Sequence, residues 1–322
     1  LEHAEAAMIF GSGMAAISST MLTFLKSGDH AVIQNDIYGG TRSFIESHFK
    51  NYGIDYSFTK DLSSEAFEDC IQENTKLIYI ETPSNPLLKL VDLFAIAKLA
   101  KSHRIVTAAD NTFASPIVQN PLDLGVDIVM HSATKYFGGH SDISAGAVAS
   151  SQEIMDKIWN LSKDFGGNLS DYTVWLLERS MKTLGIRVKA QQRNAKRLAK
   201  FLNKHTAVKS VYYPGLKTNE YHGLAKIQMK GFGAMMSFEL TEEYNAEAFL
   251  KALELIKPSM SLAGVESTML LPCKTSHALL SDSDRLSQGI TDQLIRFSVG
   301  IENKSDLIND IEQAISASHS KR

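Results

Sequence analysis

The sequence is poor in cysteine and carries no spacing typical of a metal site. Only two of its 322 residues are cysteines, Cys70 and Cys273, and they form no Cys-x-x-Cys motif. A disulfide framework and a cysteine-based zinc site are therefore excluded. The ten histidines form no His-Glu-x-x-His or His-x-His motif, so we expect no metal ion. So little cysteine is typical of a protein of the reducing cytoplasm, and that is the location we expect.

Long apolar runs and an excess of positive charge are also missing. No apolar stretch approaches the roughly 18 residues of a membrane-spanning helix. The net charge is -3, so no basic field exists to recruit nucleic acid or anionic lipid. The one basic stretch, residues 189–200, has the pattern of the solvated face of a long helix. The chain begins with leucine and shows no signal peptide, and we expect that it lacks its natural start.

The composition is that of an ordinary globular protein, and the length allows two cores. Short apolar segments alternate with helical patterns through the first half, which predicts an α/β fold with a mostly parallel sheet and helices on both faces. One helix is predicted after a capping Asp92. Beyond about residue 190, hairpin-like strands and helices predict a smaller α+β domain. We therefore predict a large cofactor-binding domain over residues 1–193 and a small one over 194–322. The strands of the first half are expected at residues 30–36, 76–82, 104–110, 126–132 and 146–150.

Polar residues follow these predicted strands at the points where each strand ends. In a sheet of this kind, ligands bind at the carboxyl ends of the parallel strands. We therefore expect the side chains that follow successive strands to converge on one site. These are Asp36 and Tyr38; Glu81 and Asn85; Asp110 and Thr112; and Ser132, Thr134 and Lys135.

Asp110 and Lys135 are the two residues of this set with the most specific chemistry. Asp110 comes straight out of an apolar run, where an unpaired carboxylate is costly; it is either a helix cap, half of a buried salt bridge, or the partner of a cationic heterocycle. A lone lysine is more often a surface residue, but a desolvated lysine near another cation can form a Schiff base. A lysine for the aldehyde carbon and a carboxylate for the ring nitrogen describe a site for pyridoxal phosphate (PLP).

The phosphate of such a cofactor also needs a binding site. Gly13 and Met14 open a helix with strong apolar periodicity, where free N–H groups and the helix dipole favour an anion. Ser132 and Thr134 could add hydroxyl donors, and Tyr38 could stack on the ring. Taken singly, these features are more often a turn and ordinary packing.

A series of short motifs along the chain resembles the Cys/Met-metabolism (trans-sulfuration) family of PLP-dependent enzymes. In chain order they are GSGMAA, DIYGGT, ETPSNP, ADNTFASP, HSATKYFGGHSD, SLAGVES and IRFSVGIE. The resemblance implies the fold of a fold-type I PLP-dependent transferase. It also implies a homotetramer, built as a dimer of dimers, with active sites at the subunit interface.

The resemblance also implies a role for each matching residue. Lys135 would carry the Schiff base, Asp110 would pair with the ring nitrogen, and Tyr38 would stack over the ring. The remaining residues would bind phosphate (Gly13, Met14, Ser132, Thr134), contact the ring's other face (Thr112) and bind the substrate (Asn85, Ser267, Arg296). From its own sequence context, Arg296 could equally form a structural salt bridge.

The chain departs from the family pattern in places. A Tyr-x-Arg segment that reaches the neighbouring subunit's phosphate site does not occur before the point that matches Leu1, which leaves full cofactor binding open. Ala263 stands where the family commonly has glycine.

Lysine can move protons at both Cα and Cβ, so the residues fit β- and γ-chemistry equally well. Gly40, where methionine γ-lyases carry cysteine, counts against that branch. We predict a cystathionine lyase of the γ or β type, with cystathionine γ-synthase as the near alternative. A non-catalytic PLP-binding paralogue and an aminotransferase are further alternatives.

Overall fold

The first half of the chain forms a seven-stranded sheet. We describe a computed structural model, which covers residues 1–276, 278 and 281–319. The strand order is β1-β7-β6-β5-β4-β2-β3. Strands β2 to β6 run parallel to one another, and β7 runs antiparallel to both β1 and β6. The strands are Ala6–Phe10 (β1), His30–Ile33 (β2), Asp55–Phe58 (β3), Thr75–Glu81 (β4), Val106–Asp110 (β5), Ile128–His131 (β6) and Gly146–Ser150 (β7).

Helices cover both faces of this sheet. Successive side chains of a strand point to opposite faces. In β4, Leu77 and Tyr79 accordingly join one apolar cluster while Ile78 and Ile80 join another. The predicted α/β fold with a mostly parallel sheet is confirmed. The helices of this part are Gly13–Phe24 (α1), Gly39–His48 (α2), Ser64–Glu68 (α3), Leu93–His103 (α4), Gln152–Phe165 (α5) and Asp171–Met181 (α6).

Helix α4 shows how local sequence sets the ends of these elements. The Asp92 side chain accepts a hydrogen bond from Ala95 N, as its predicted capping role requires. Arg104, with φ of 58°, is left-handed and ends the helix. The predicted helix and its Asp92 cap are confirmed.

The second half forms a five-stranded sheet, order β10-β11-β12-β9-β8, with flanking helices. This is the α+β arrangement that the sequence predicts. Its strands are Val208–Tyr212 (β8), Met235–Leu240 (β9), Lys257–Pro258 (β10), Thr268–Leu270 (β11) and Leu294–Ser298 (β12). Its helices are Leu184–Leu202 (α7), His222–Gln228 (α8), Ala246–Ala252 (α9), Asp282–Ser287 (α10) and Lys304–Ala317 (α11).

Helix α7 joins the two halves. It runs without interruption through residue 193, so the predicted domain boundary falls inside a helix. The division into two domains stays a prediction. The charged side chains of residues 189–200, among them Lys189 and Arg193, are exposed, whereas Ala195 and Leu198 are buried. The basic stretch is therefore the solvated helix face that its pattern predicts. No helix in the part of the chain that the structure describes has the length and apolar character needed to cross a membrane.

The sheet register places the polar residues at the carboxyl ends of β4, β5 and β6 side by side. Glu81 at the end of β4 pairs with Asp110 at the end of β5, and Asp110 pairs with Met130 of β6. Arg296 of β12 reaches the same edge from the second sheet, where its guanidinium contacts Asn85. The site therefore lies where the first sheet meets the second.

Candidate active site

A cavity of about 400 Å³ lies at this edge of the first sheet. It is enclosed by the carboxyl ends of β4, β5 and β6, the start of α1 and residues of the second half. All the predicted site residues except Ser267 line it: Gly13, Met14, Tyr38, Asn85, Asp110, Thr112, Ser132, Thr134, Lys135 and Arg296. Residues separated by most of the chain are thus brought together as predicted.

Asp110 forms an acidic wall of the cavity. Its side chain is buried, and Oδ1 accepts hydrogen bonds from both the backbone N–H and the hydroxyl of Thr112. Burial raises the pKa of Asp110, while the Thr112 hydrogen bonds and the charge of His131 oppose that rise. A cationic group bound against this carboxylate would favour its ionised form in the same way.

Lys135 lies on a tight turn that follows β6. Burial lowers the pKa of its amine, and the positive charge of Arg296 lowers it further. The turn is closed by a hydrogen bond from Gly139 N to Lys135 O, and Gly139 has a left-handed φ of 69°. A Cβ at Gly139 would also collide with the guanidinium of Arg187, which donates to Tyr136 O. Glycine is therefore required at this position of the turn.

The start of α1 faces Ser132, directly before the lysine turn. Ser12 caps the helix by accepting from Ala15 N at 3.0 Å. A Cβ built on Gly13 would lie 2.9 Å from Ser132 Cβ, so glycine permits this close approach. The N-terminal N–H groups and the helix dipole make this end of the cavity suited to a phosphate.

The Thr134 hydroxyl is engaged elsewhere. It donates to Ala145 O at 3.1 Å and accepts from Ala145 N at 3.0 Å, and so ties the lysine turn to the segment before β7. A hydroxyl has a single hydrogen to donate. The predicted phosphate contact of Thr134 therefore requires that hydrogen to leave Ala145 O, and this role stays a prediction.

Tyr38 stands at the open side of the cavity with 45% of its surface exposed. Its backbone N–H donates to Glu81 Oε2 at 2.7 Å, which fixes the start of α2 against β4. A Cβ added at Gly40 would press on the Tyr38 ring, so Gly40 leaves the ring room to lie where it does.

Arg296 is a buried cation at the opposite wall. It donates to Asn85 Oδ1 at 3.3 Å and to Met260 O at 3.0 Å. Burial lowers its pKa to about 10, so the guanidinium is still charged at neutral pH. Among the ion pairs of the described residues, none involves Arg296. A buried guanidinium without a carboxylate partner is suited to binding the carboxylate of a ligand.

Ser267 is the predicted site residue that lies outside the cavity. Its backbone N–H and its hydroxyl both bind the Glu302 carboxylate, and the hydroxyl also accepts from Gly300 N. These bonds fix the loop before β11. A direct contact of Ser267 with substrate stays a prediction.

Glu81 is a cavity residue that was predicted at the sheet edge but was assigned no role. It is fully buried beside Asp110, and burial together with the Asp110 charge raises its pKa well above the ordinary value. The signal that selected Asp110, an acid leaving a buried strand, is present here too. That signal does not predict a role for Glu81, because the contact between Glu81 and the Tyr38 backbone depends on the position of α2.

Ala263, where the family commonly has glycine, has a left-handed φ of 66°. Its N–H donates to Ser298 Oγ, which holds this conformation. For an alanine, such a φ costs about 1 kcal/mol. The backbone therefore explains why glycine is common at this position.

Comparisons with known proteins agree with this geometry. The family model for "Cys/Met metabolism PLP-dependent enzyme" matches residues 1–316. A cystathionine gamma-lyase of Bacillus subtilis is 46% identical over 98% of this chain and 83% of its own length. An L-methionine gamma-lyase of Fusobacterium nucleatum is 43% identical over 98% of this chain and 81% of its own length. The crystal structure of cystathionine gamma-lyase from Lactobacillus plantarum complexed with L-serine is 43% identical, covers 98% of this chain and 83% of that one, and superposes with a TM-score of 0.96.

Proposed function

Because the chain belongs to the Cys/Met metabolism family of PLP-dependent enzymes, we propose that it is a carbon–sulfur lyase acting on L-cystathionine or a related sulfur amino acid. The observation that carries this proposal is the placement of Lys135, Asp110 and Arg296 around one cavity. An amine, a carboxylate and a guanidinium that forms no ion pair with the described residues can together bind a pyridine cofactor and an amino acid in this cavity.

The residues of the cavity fit PLP. Asp110 supplies a buried carboxylate for the ring nitrogen, and the glycine-opened start of α1 supplies N–H donors for the phosphate. Lys135 supplies an amine with a lowered pKa for covalent attachment. When bound, PLP provides an electron sink that acidifies the Cα proton of an amino acid.

Lys135 Nζ is the group placed to move protons. Because burial and the nearby Arg296 charge lower its pKa, a larger fraction of the amine is unprotonated near neutral pH than for an exposed lysine. Nζ can therefore accept the Cα proton of the substrate and deliver it elsewhere on the same molecule. This is the proton movement that elimination of a sulfur group requires.

Arg296 and Asn85 orient the substrate. The guanidinium is held by Asn85 Oδ1 and Met260 O, which fixes the direction of its remaining N–H groups. Those groups can bind a carboxylate bidentately. A substrate held by its carboxylate would lie in the same cavity as Lys135.

The expected products are a thiol amino acid, a 2-oxo acid and ammonia. Both cystathionine gamma-lyases in the comparison support cystathionine as the substrate. Because an L-methionine gamma-lyase is similar to the chain at nearly the same identity, the assay must include methionine. Cystathionine γ-synthase is the alternative reaction of the same residues. A non-catalytic paralogue is disfavoured because such a protein has no use for a buried amine beside Asp110.

We also propose that the enzyme acts in the cytoplasm as a homotetramer, a dimer of dimers with active sites at the subunit interface. Support comes from α5, α6 and the segment between them, where large aromatic side chains are exposed: Trp159, Phe165, Tyr172 and Trp175. Clusters of this kind mark protein–protein contacts.

A three-substrate assay tests the reaction. The full-length enzyme with PLP is given L-cystathionine, O-succinylhomoserine with cysteine, or L-methionine, and the thiol and 2-oxo acid products are identified. Fastest release of a 2-oxo acid from cystathionine supports the lyase, and the thiol released shows whether the β or the γ bond is cleaved. Turnover of the acylhomoserine without turnover of cystathionine would overturn it in favour of the synthase.

A further inference from the structure

A buried carboxylate outside the cavity is bound by three donors at once. Glu2 is 5% exposed, and its Oε1 accepts from His131 Nε2 at 2.6 Å and from Asn111 Nδ2 at 2.9 Å. Its Oε2 accepts from Asn120 Nδ2 at 3.3 Å. His131 is itself buried, at the end of β6. Neither Glu2 nor His131 lines the cofactor cavity.

Two routes connect this carboxylate to Asp110. The first is short, because Asn111, which binds Glu2, follows Asp110 directly in the chain. Its backbone N–H donates to Met130 O, which locks the end of β5 to β6. Movement of Glu2 therefore acts on the residue next to the catalytic carboxylate.

The second route runs through the residue after His131. Ser132 N donates to Thr112 Oγ1 at 2.8 Å, and Thr112 Oγ1 donates in turn to Asp110 Oδ1. Together the two routes form a closed ring of peptide and hydrogen bonds from Glu2 back to Glu2. The Asp110 carboxylate lies on this ring and has its orientation set by Thr112.

We propose that Glu2 and His131 are positioning residues for Asp110, which hold its carboxylate in the orientation that binds the ring nitrogen of PLP. The proposal rests on the proposed function in the role given to Asp110, and it requires no particular substrate.

The ring passes through a single atom of Glu2. Both His131 Nε2 and Asn111 Nδ2 bind Oε1, so a substitution tests the ring only if it removes that acceptor or its histidine partner. Glu2→Leu and His131→Leu introduce apolar side chains that cannot form hydrogen bonds, and each therefore opens the ring.

The test compares these variants with matched controls elsewhere in the molecule. Glu239→Leu replaces another buried glutamate, which binds Ser210 and Thr291. His30→Leu replaces another buried histidine of the same sheet, which binds Thr75 and Ser57. For each full-length protein we measure the Kd of PLP, the visible circular dichroism per mole of bound PLP, and the thermal midpoint of the cofactor-free protein.

We expect Glu2→Leu and His131→Leu to raise the Kd of PLP about tenfold, the worth of one hydrogen bond to a charged group. They should also change the visible circular dichroism, which reports how the bound ring is oriented. The controls should change only the thermal midpoint. Because both substitutions break one ring, the double variant should lie within about twofold of the weaker-binding single variant.

Wild-type affinity and wild-type visible circular dichroism in His131→Leu would overturn the proposal and leave the pair a purely structural role, even if Glu2→Leu does not fold. Full additivity in the double variant would equally contradict a shared ring. None of these measurements contains substrate. An enzyme that fails to cleave cystathionine but shows the predicted cofactor effects would therefore refute only the proposed reaction.

Discussion

Lys135 and Arg296 line the same cavity, and the positive charge of Arg296 lowers the pKa of Lys135. Lys135 Nζ can accept a proton only at pH values above its pKa. Burial lowers that pKa, and so does the Arg296 charge. Removing the charge raises it again, so the unprotonated amine then appears at higher pH.

We therefore predict that Arg296→Gln moves the rising limb of kcat against pH to higher pH. It should also raise the KM of the amino acid at least about tenfold, because a charge-assisted pair with the substrate carboxylate is lost. Steady-state kinetics over a range of pH measure both effects. Arg296→Lys keeps a positive charge and is the control, for which the limb should stay near its wild-type position. An unchanged limb in Arg296→Gln would show that the arginine does not act on Lys135.

The residues in and around the cavity could be predicted from the sequence to different degrees. Asp110 and Lys135 each follow an apolar strand, and that local pattern is enough to place both at the sheet edge. Glu2 gives no such signal, because its partner His131 lies 129 residues away. Ser267 was predicted from a motif, but a motif does not reveal that Glu302 already binds its hydroxyl.

At the scale of elements, the start of α1 must approach the turn that carries Lys135. The contact depends on Gly13, where a Cβ would press on Ser132. Gly223, near the start of α8, has open space around its Cα and offers a matched comparison.

We predict that Gly13→Ala weakens PLP binding about tenfold, because the added methyl group displaces the helix end from Ser132. Gly223→Ala should leave the Kd of PLP unchanged and raise the free energy of unfolding by about 0.5 kcal/mol, since alanine favours a helix. Cofactor titration and urea unfolding of both variants measure this. Wild-type affinity in Gly13→Ala would mean that the helix start is not the phosphate site.

The elements themselves were predicted best where local signals are strong. The cap at Asp92 is such a signal, and α4 begins directly after it. Strand β1 was missed because it is a short edge strand with alternately exposed residues, Ala6–Phe10. It is defined by antiparallel pairing with β7, far along the chain. Pairing over such a distance has no local signature.

On the scale of the whole molecule, the aromatic surface of α5 and α6 bears on assembly. Trp175 on α6 is 56% exposed and stacks with Tyr172. We predict that the wild-type enzyme is a tetramer by light scattering and that Trp175→Glu shifts it to smaller species, because a charge is costly inside an apolar contact. Ile227→Glu, at an exposed isoleucine on α8, should leave the tetramer intact. A wild-type monomer, or a tetramer unaffected by Trp175→Glu, would contradict the proposed interface.

The sequence pattern predicts the two halves of the molecule better than it predicts the boundary between them. The change from alternating strands and helices to an α+β pattern correctly indicates two sheets. The basic stretch of residues 189–200 does predict a long helix through residue 193. The sequence could not show that this helix joins the two halves, because a long amphipathic helix serves equally well as a connection or as part of either half.

We propose above that Lys135 holds PLP in the cavity formed with Asp110. Chemical trapping of the bound cofactor shows which lysine carries it. Borohydride reduces the bond between the cofactor and the amine that carries it, and mass spectrometry of the resulting peptides locates the label. We predict that the label is on Lys135 and that Lys135→Ala loses both the label and the visible absorbance of the bound cofactor. A label on a different lysine, or an unmodified Lys135 in protein saturated with PLP, would contradict the account.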